Sequence, residues 1–155
     1  MLKTKKTMSK KRPVNKDTQV YRNKIIRRLK NKLFKLWAIK VKERAGNKCE
    51  VDGCSTGNVL NSHHIENYMA NPSLRYDIKN GICVCASHHK FLAQSAHKSF
   101  VFMYNLMLSK HPEELKYLLE YKSVKEELTI EKLEQMIKEM EQLKFDVQPQ
   151  PAVQN

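Results

Sequence analysis

Cysteine and histidine crowd into one stretch of this chain: residues 47–98 hold all four cysteines and five of the six histidines. In Cys49-Glu-Val-Asp-Gly-Cys54, two cysteines flank four residues with Gly53 in the bend. Such a knuckle presents two thiolates to one ion. Cys85-Ala-Ser-His88 is a second knuckle of C-x-x-H form. Together Cys49, Cys54, Cys85 and His88 make a tetrahedral Cys3His zinc site. A core of roughly 50 residues buries too little apolar surface to hold itself rigid, so a structural ion is expected there. Cys83 is surplus to this set: either a buried strand residue or a competitor of Cys85 as ligand.

Other nitrogen donors lie between and beside the knuckles. His63-His64-Ile65 falls in a strand-like stretch, where adjacent side chains point to opposite faces. One histidine therefore cannot duplicate the other. Asn80-Gly81 precedes the apolar step Ile82-Cys83-Val84, and His89 follows the second knuckle directly. The order along the chain is H-H, N, C-x-x-H-H. His97, in Gln94-Ser-Ala-His97, stands about two helical turns beyond His89. It either contacts phosphate or the surroundings of an ion, or simply ends a helix. Arg75 and Lys90 are candidate phosphate contacts or ordinary surface charges.

The elements that must carry these residues are mostly helical, with one small β-hairpin. From Asp17 to Gly46, Val20, Ile25, Ile26, Leu29, Leu33, Leu36, Trp37, Ile39 and Val41 recur mostly at spacings of three and four, which predicts a helix. Asp17 or Thr18 would cap it and Gly46 would stop it. Residues 57–66 read as a β-hairpin, followed by a loop and a short helix from about Ala86. Residues 99–110 are strongly apolar, with Ser99 as cap, and are expected to be a buried helix. Pro112 with Glu113 and Glu114 starts another, with Leu115, Leu118, Leu119 and Tyr121 as its stripe. Ser123 and Glu126 fit a capping box for a further short helix. After Thr129, the residues Ile130, Leu133, Ile137, Met140 and Leu143 share one face. Trp37 and the five phenylalanines are assigned to the core, and His111 to a helix junction.

Charge divides the chain. Residues 1–48 carry 18 Lys/Arg against Asp17 and Glu43, within a net charge of +13 for the whole chain. Residues 111–155 are mildly acidic. Residues 1–16 read as a disordered basic arm and 145–155 as a disordered tail. Five segments result: 1–16, the basic helix 17–46, a core 47–98, a helical extension 99–144 and the tail. A polycation binds phosphate backbones through counterion release without reading sequence, or serves as a solubilising tail. On the helix, Arg22, Lys24, Arg27, Arg28, Lys32 and Lys35 are the candidate backbone contacts. No run of 18 apolar residues occurs and no apolar stretch follows the basic N-terminus, so neither a membrane span nor a secretory signal is expected. The expected compartment is the cytoplasm, where cysteines ligate metals more often than they pair.

The segments CEVDGC, SHHI and LRYDIKNGICVCASHHKF resemble the HNH (ββα-metal) endonuclease superfamily, in particular its phage-encoded branch. The likeness covers residues 48–98, about a third of the chain. It implies a zinc-stapled ββα-metal core, flanked here by N- and C-terminal helices. It further implies that His63 and His89 ligate a catalytic divalent ion, that His64 is the general base, and that Asn80 fixes a loop near the base. Two features depart from the commoner pattern: the first knuckle has four intervening residues rather than two, and His88 stands where cysteine is usual. His88 and His89 could exchange roles, though the knuckle spacing favours His88 for zinc.

The chemistry implied is phosphodiester hydrolysis in DNA. An imidazole near neutrality can take a proton from water, and a divalent ion can stabilise charge on the phosphate and on the leaving 3′ oxygen. The products expected carry 5′-phosphate and 3′-hydroxyl. Histidine ligation suits Mn²⁺, Co²⁺ or Ni²⁺ better than Mg²⁺. The partner implied is DNA, bound largely without regard to sequence, and the C-terminal helices could support a homodimer. The alternatives are a non-catalytic zinc-stapled DNA-binding module, a structure-selective or packaging-associated phage nuclease acting in the host cytoplasm, and an RNA-directed nuclease.

Overall fold

Residues 19–44 contain neither proline nor glycine, and they form one helix, α1 (Gln19–Arg44). The Thr18 hydroxyl accepts from Tyr21 N–H and caps its start, while Gly46 and Asn47 take positive φ and end it. The computed structural model describes residues 18–54, 59–67, 69, 72–121 and 127–145. The expected basic arm, Asp17, the capping box at Ser123 and Glu126, and the tail beyond Phe145 lie outside them.

Two strands follow, β1 (Leu60–His64) and β2 (Gly81–Cys85), paired antiparallel with His64 opposite Gly81 and Leu60 opposite Cys85. The small antiparallel hairpin expected is present, but not within 57–66: the described residues 59–66 supply one strand, and its partner arrives 16 residues later. Local alternation reveals that a stretch is extended; it does not reveal which strand it pairs with. The connection holds two 3₁₀ segments, Pro72–Tyr76 and Ile78–Asn80. After β2 the chain enters a single π-helical turn, Ser87–Phe91, in place of the short helix expected from Ala86. Helices α2 (Phe100–Lys110), α3 (Pro112–Glu120) and α4 (Ile130–Gln142) complete the described chain; Ser99 caps α2 as expected, and Thr129 caps α4.

β2 is buried on both faces and divides two apolar clusters. On one side Cys83 packs with Leu33, Trp37 and Val41 of α1, Tyr76, and Leu133, Ile137 and Met140 of α4. On the other, Ile82 and Val84 pack with Met103, Leu106 and Met107 of α2 and Leu115 of α3. The terminal helices therefore build the core of the central segment and share its packing. Gly81 is required where α1 crosses: a Cβ there would lie 2.4 Å from Val41 Cγ2. Arg44 donates to the carbonyls of Ile78 and Gly81 and ties the end of α1 to the start of β2.

Several apolar residues are not where the sequence pattern placed them. Val20 and Ile39 of α1, and Leu119 of α3, are exposed. α2 is not the fully buried helix expected, since Phe100, Val101 and Leu108 face outward. Two phenylalanines expected in the core, Phe91 and Phe100, are 72% and 81% exposed. Helical spacing shows a stripe, but it cannot say how wide a stripe the neighbouring elements cover. Among the described residues no helix is long and apolar enough to cross a membrane.

Candidate metal centres

Positive φ at Gly53 closes the first knuckle, and Cys85 stands at the end of β2 where the π-helical turn begins. These two bends bring Cys49, Cys54, Cys85 and His88 together, each pair of ligand atoms within 4.8 Å. Cys54 Sγ and Cys85 Sγ are 3.8 Å apart, and Cys49 Sγ is 3.6 Å from His88 Nδ1. A tetrahedron with Zn–S bonds of about 2.3 Å has S–S edges of about 3.8 Å, so the donor set has the size of a zinc site. Burial pushes the Cys49 thiol up to about 11, and a bound cation would reverse that by taking the thiolate. Backbone N–H of Cys85 donates to Cys49 Sγ, and the His88 ring stacks against Phe102 of α2 at 6.1 Å. The four residues could hold a metal such as zinc. Cys83 does not join them: it faces α1 from the middle of β2, fully buried, with its thiol pushed up to about 12 by burial and by Glu50.

The alternation of β1 sends its two histidines apart. His63 points away from α1 and meets His89 and His97, the ligand nitrogens of all three lying within 4.8 Å of one another. His89 Nε2 and His97 Nε2 are 3.2 Å apart, and the three rings meet edge to face. His97 neither ends a helix nor lies on one. The chain leaves the π-helical turn at Leu92 and folds back, so that His97 N–H bonds the His89 carbonyl. Burial, and then the neighbouring charges of His97, His89 and His64, lower His63 to about 4. His89 is lowered by burial and by His97 and Lys90. At neutral pH His63 and His89 therefore keep nitrogen lone pairs ready for a cation. His88 and His89 are adjacent in sequence, yet each belongs to a different cluster.

His64 points to the α1 side. Its ring lies flat on Trp37, with centroids 3.8 Å apart and planes at 5°, and Phe34 lies beside both, 6.0 Å from His64 and 5.7 Å from Trp37. His64 Nε2 is 2.9 Å from the Arg75 carbonyl oxygen. A carbonyl only accepts, so Nε2 carries the hydrogen and Nδ1 the lone pair. Burial lowers the pKa of His64, the Arg75 carbonyl opposes that, and the Arg75 guanidinium adds to it.

Compared with family models, with curated proteins and with solved structures, the chain finds no match.

Asn80 is fully buried and holds the loop between the strands by three bonds. Its Oδ1 accepts from Glu66 N–H at 2.7 Å, and its Nδ2 donates to the carbonyls of Glu66 and Leu74 at 3.1 Å. Arg75 is half-buried, its guanidinium 5.5 Å from the Phe34 ring and 5.8 Å from that of Tyr76. Lys90 is exposed. Arg22, Lys24, Arg27, Arg28, Lys32 and Lys35 are all exposed on α1. Lys32 is not available without exchange, since it pairs with Glu141 of α4 at 2.8 Å.

His111 was expected only to join helices. It does stand between α2 and α3, and it also bonds Glu50 at 2.5 Å, while the other Glu50 oxygen accepts from Cys83 N–H. The pair clamps the first knuckle to the helical extension. Lys110 pairs with Asp52 alongside. Acidic residues inside a cysteine knuckle were the available signal for these clamps. Nothing in the spacing of Trp37 pointed to His64.

Proposed function

We propose that this chain is a metal-dependent endonuclease that hydrolyses phosphodiester bonds in DNA, with His64 as general base. One observation carries the reading: two neighbouring strand residues serve two clusters, His63 with His89 and His97 as a neutral nitrogen site, and His64 with its tautomer set by a backbone carbonyl. A separate Cys3His cluster nearby accounts for structural metal, and it needs none of these histidines. The likeness of residues 48–98 to the HNH superfamily agrees with this assignment of roles.

His63, His89 and His97 would hold a divalent ion, with three nitrogens rather than the two expected from the sequence. When bound, that ion supplies Lewis acidity toward the phosphate. The remaining steps belong to the side chains. His64 Nδ1 accepts a proton from water as its oxygen attacks phosphorus. The bond from phosphorus to the 3′ oxygen breaks, and that oxygen leaves with the electron pair and takes a proton from solvent. Nε2–H, bonded to the Arg75 carbonyl, keeps Nδ1 as the accepting atom throughout. Asn80 keeps that carbonyl in place by holding the neighbouring Leu74 carbonyl. Arg75, beside the base, is suited to a phosphate oxygen. The exposed cations of α1 give a sequence-independent grip on the backbone. The outward face of α2, with Phe100, Val101 and Leu108, suits a second copy of the chain, which would let two sites cut two strands.

Supercoiled-plasmid cleavage by zinc-loaded protein tests the reading, with Mg²⁺, Mn²⁺, Co²⁺ or Ni²⁺ added in turn. Nicking with Mn²⁺, Co²⁺ or Ni²⁺ that disappears in His64→Ala is the expected result. Folded protein that binds DNA but cuts nothing with any ion would instead identify a zinc-stapled binding module.

A further inference from the structure

The closest and most nearly parallel ring stack among the described residues joins an interior helix residue to the proposed base. We infer that Trp37 of α1 is a positioning residue for His64, so that α1 is part of the reactive site as well as a surface for the DNA backbone. This rests on the endonuclease reading above.

Three observations support it. The stack is close and nearly parallel, centroids 3.8 Å apart and planes at 5°, so the indole covers one whole face of the imidazole. The indole is itself fixed: Trp37 is fully buried, and its Nε1–H donates to the Asp77 carbonyl at 2.9 Å. Asp77 is held in turn, one carboxylate oxygen accepting from Lys79 N–H at 2.8 Å and the other from the Tyr117 hydroxyl at 2.7 Å. Finally, the residue opposite His64 in the sheet is Gly81, and a Cβ there would sit 3.0 Å from Trp37 Cζ2. The strand partner of the base thus leaves the space the indole occupies.

The consequence is mechanical. The strand backbone fixes the root of His64, the Arg75 carbonyl fixes its Nε2 edge, and Trp37 fixes its plane. With the plane free, Nδ1 would sweep an arc about the Cα–Cβ and Cβ–Cγ bonds and point at the attacking water only part of the time. A misplacement of about 1 Å in a reacting group costs about 100-fold in rate.

The test compares Trp37→Leu, Trp37→Phe and Leu33→Ala in zinc-loaded protein with Mn²⁺, each checked for folding by circular dichroism. Leu33 is equally buried in the same apolar cluster, one helical turn before Trp37 on α1. Trp37→Leu should lose about 100-fold in kcat with KM unchanged. Trp37→Phe, which keeps a ring to stack on, should recover part of that loss. Leu33→Ala should lose stability and keep kcat. In proton NMR, the His64 ring protons should be shifted upfield by the indole and should lose that shift in Trp37→Leu. Should Trp37→Leu not fold, Trp37→Phe and the wild-type ring shift decide the matter. Wild-type kcat in folded Trp37→Leu, or equal losses in Leu33→Ala, overturns the inference alone. A wild type that cuts no nucleic acid overturns it together with the endonuclease reading.

Discussion

Two clusters of metal-binding side chains lie on either side of a single residue boundary, between His88 and His89, and they differ in nearly every property. The first has three thiols and one imidazole, carried by a knuckle, the end of a strand and a π-helical turn, braced by Phe102 and by the Glu50–His111 pair. The second has three imidazoles, one of them, His97, exposed. Four donors close a tetrahedron and leave no position for a substrate; three neutral donors leave positions open. The difference teaches how one π-helical turn can serve structure and chemistry together. Successive side chains on a helical turn point about 100° apart, so two neighbours can serve two different clusters.

Removing zinc should have the largest effect. Structural zinc contributes on the order of 10 kcal/mol in small zinc-folded units. Chelation, or Cys85→Ser, should therefore abolish cooperative melting of the region around β2 in circular dichroism, whereas His97→Ala should leave the melt nearly unchanged. Equal sensitivity of the melt to both substitutions would erase the distinction between the clusters.

His64→Ala comes next. Losing a general base costs about 10²–10⁴ in rate. Plasmid nicking should fall by that much while bound zinc, measured by atomic absorption, stays at wild-type level. A variant that nicks at the wild-type rate would remove His64 from the chemistry.

Asn80→Ala should be intermediate, because it strands Glu66 N–H and the Leu74 carbonyl in a buried loop. Each stranded group costs about 1–3 kcal/mol. Urea denaturation should register the loss, and nicking should drop as the Arg75 carbonyl shifts. Full stability in this variant would mean the loop is held by other means.

The smallest effect should be in proton counts. With His63 lowered to about 4 and His89 also lowered, a divalent ion entering the three-histidine cluster at pH 7 should release almost no protons from them. Zinc entering the cysteine cluster must displace at least the proton of Cys49, whose pKa stands at about 11. The sign follows from the two shifts: raised thiols are protonated at pH 7 and lowered imidazoles are not. Calorimetry in buffers of different ionisation enthalpy separates the two, and equal proton release at both sites would contradict the contrast.

Much of this was legible in the residues. The two knuckles were visible because ligand spacing is a local property of a tight turn. The helix caps Thr18 and Ser99 were visible because the first turn of a helix is satisfied by its own neighbours. Other features were not. The strand partner of Leu60–His64 could not be read, since pairing across the 16-residue connection obeys no local period. The place of His97 beside His63 and His89 depends on a reversal after Leu92 that leaves no mark in helical spacing. The exposed faces at Phe91, Phe100 and Leu119 depend on how much of each helix its neighbours cover.

By itself, then, the sequence determined the two cysteine knuckles, which long stretches are helical, and where positive charge concentrates, because each depends on residue type and short-range geometry. Only the tertiary structure decided that His88 and His89 part ways, that Cys83 is core, that His97 joins His63 and His89, and that Trp37 lies on His64. Those outcomes follow from a sheet that alternates its faces and from helices packed on both of them, and contacts between elements far apart in the chain are set by packing rather than by spacing.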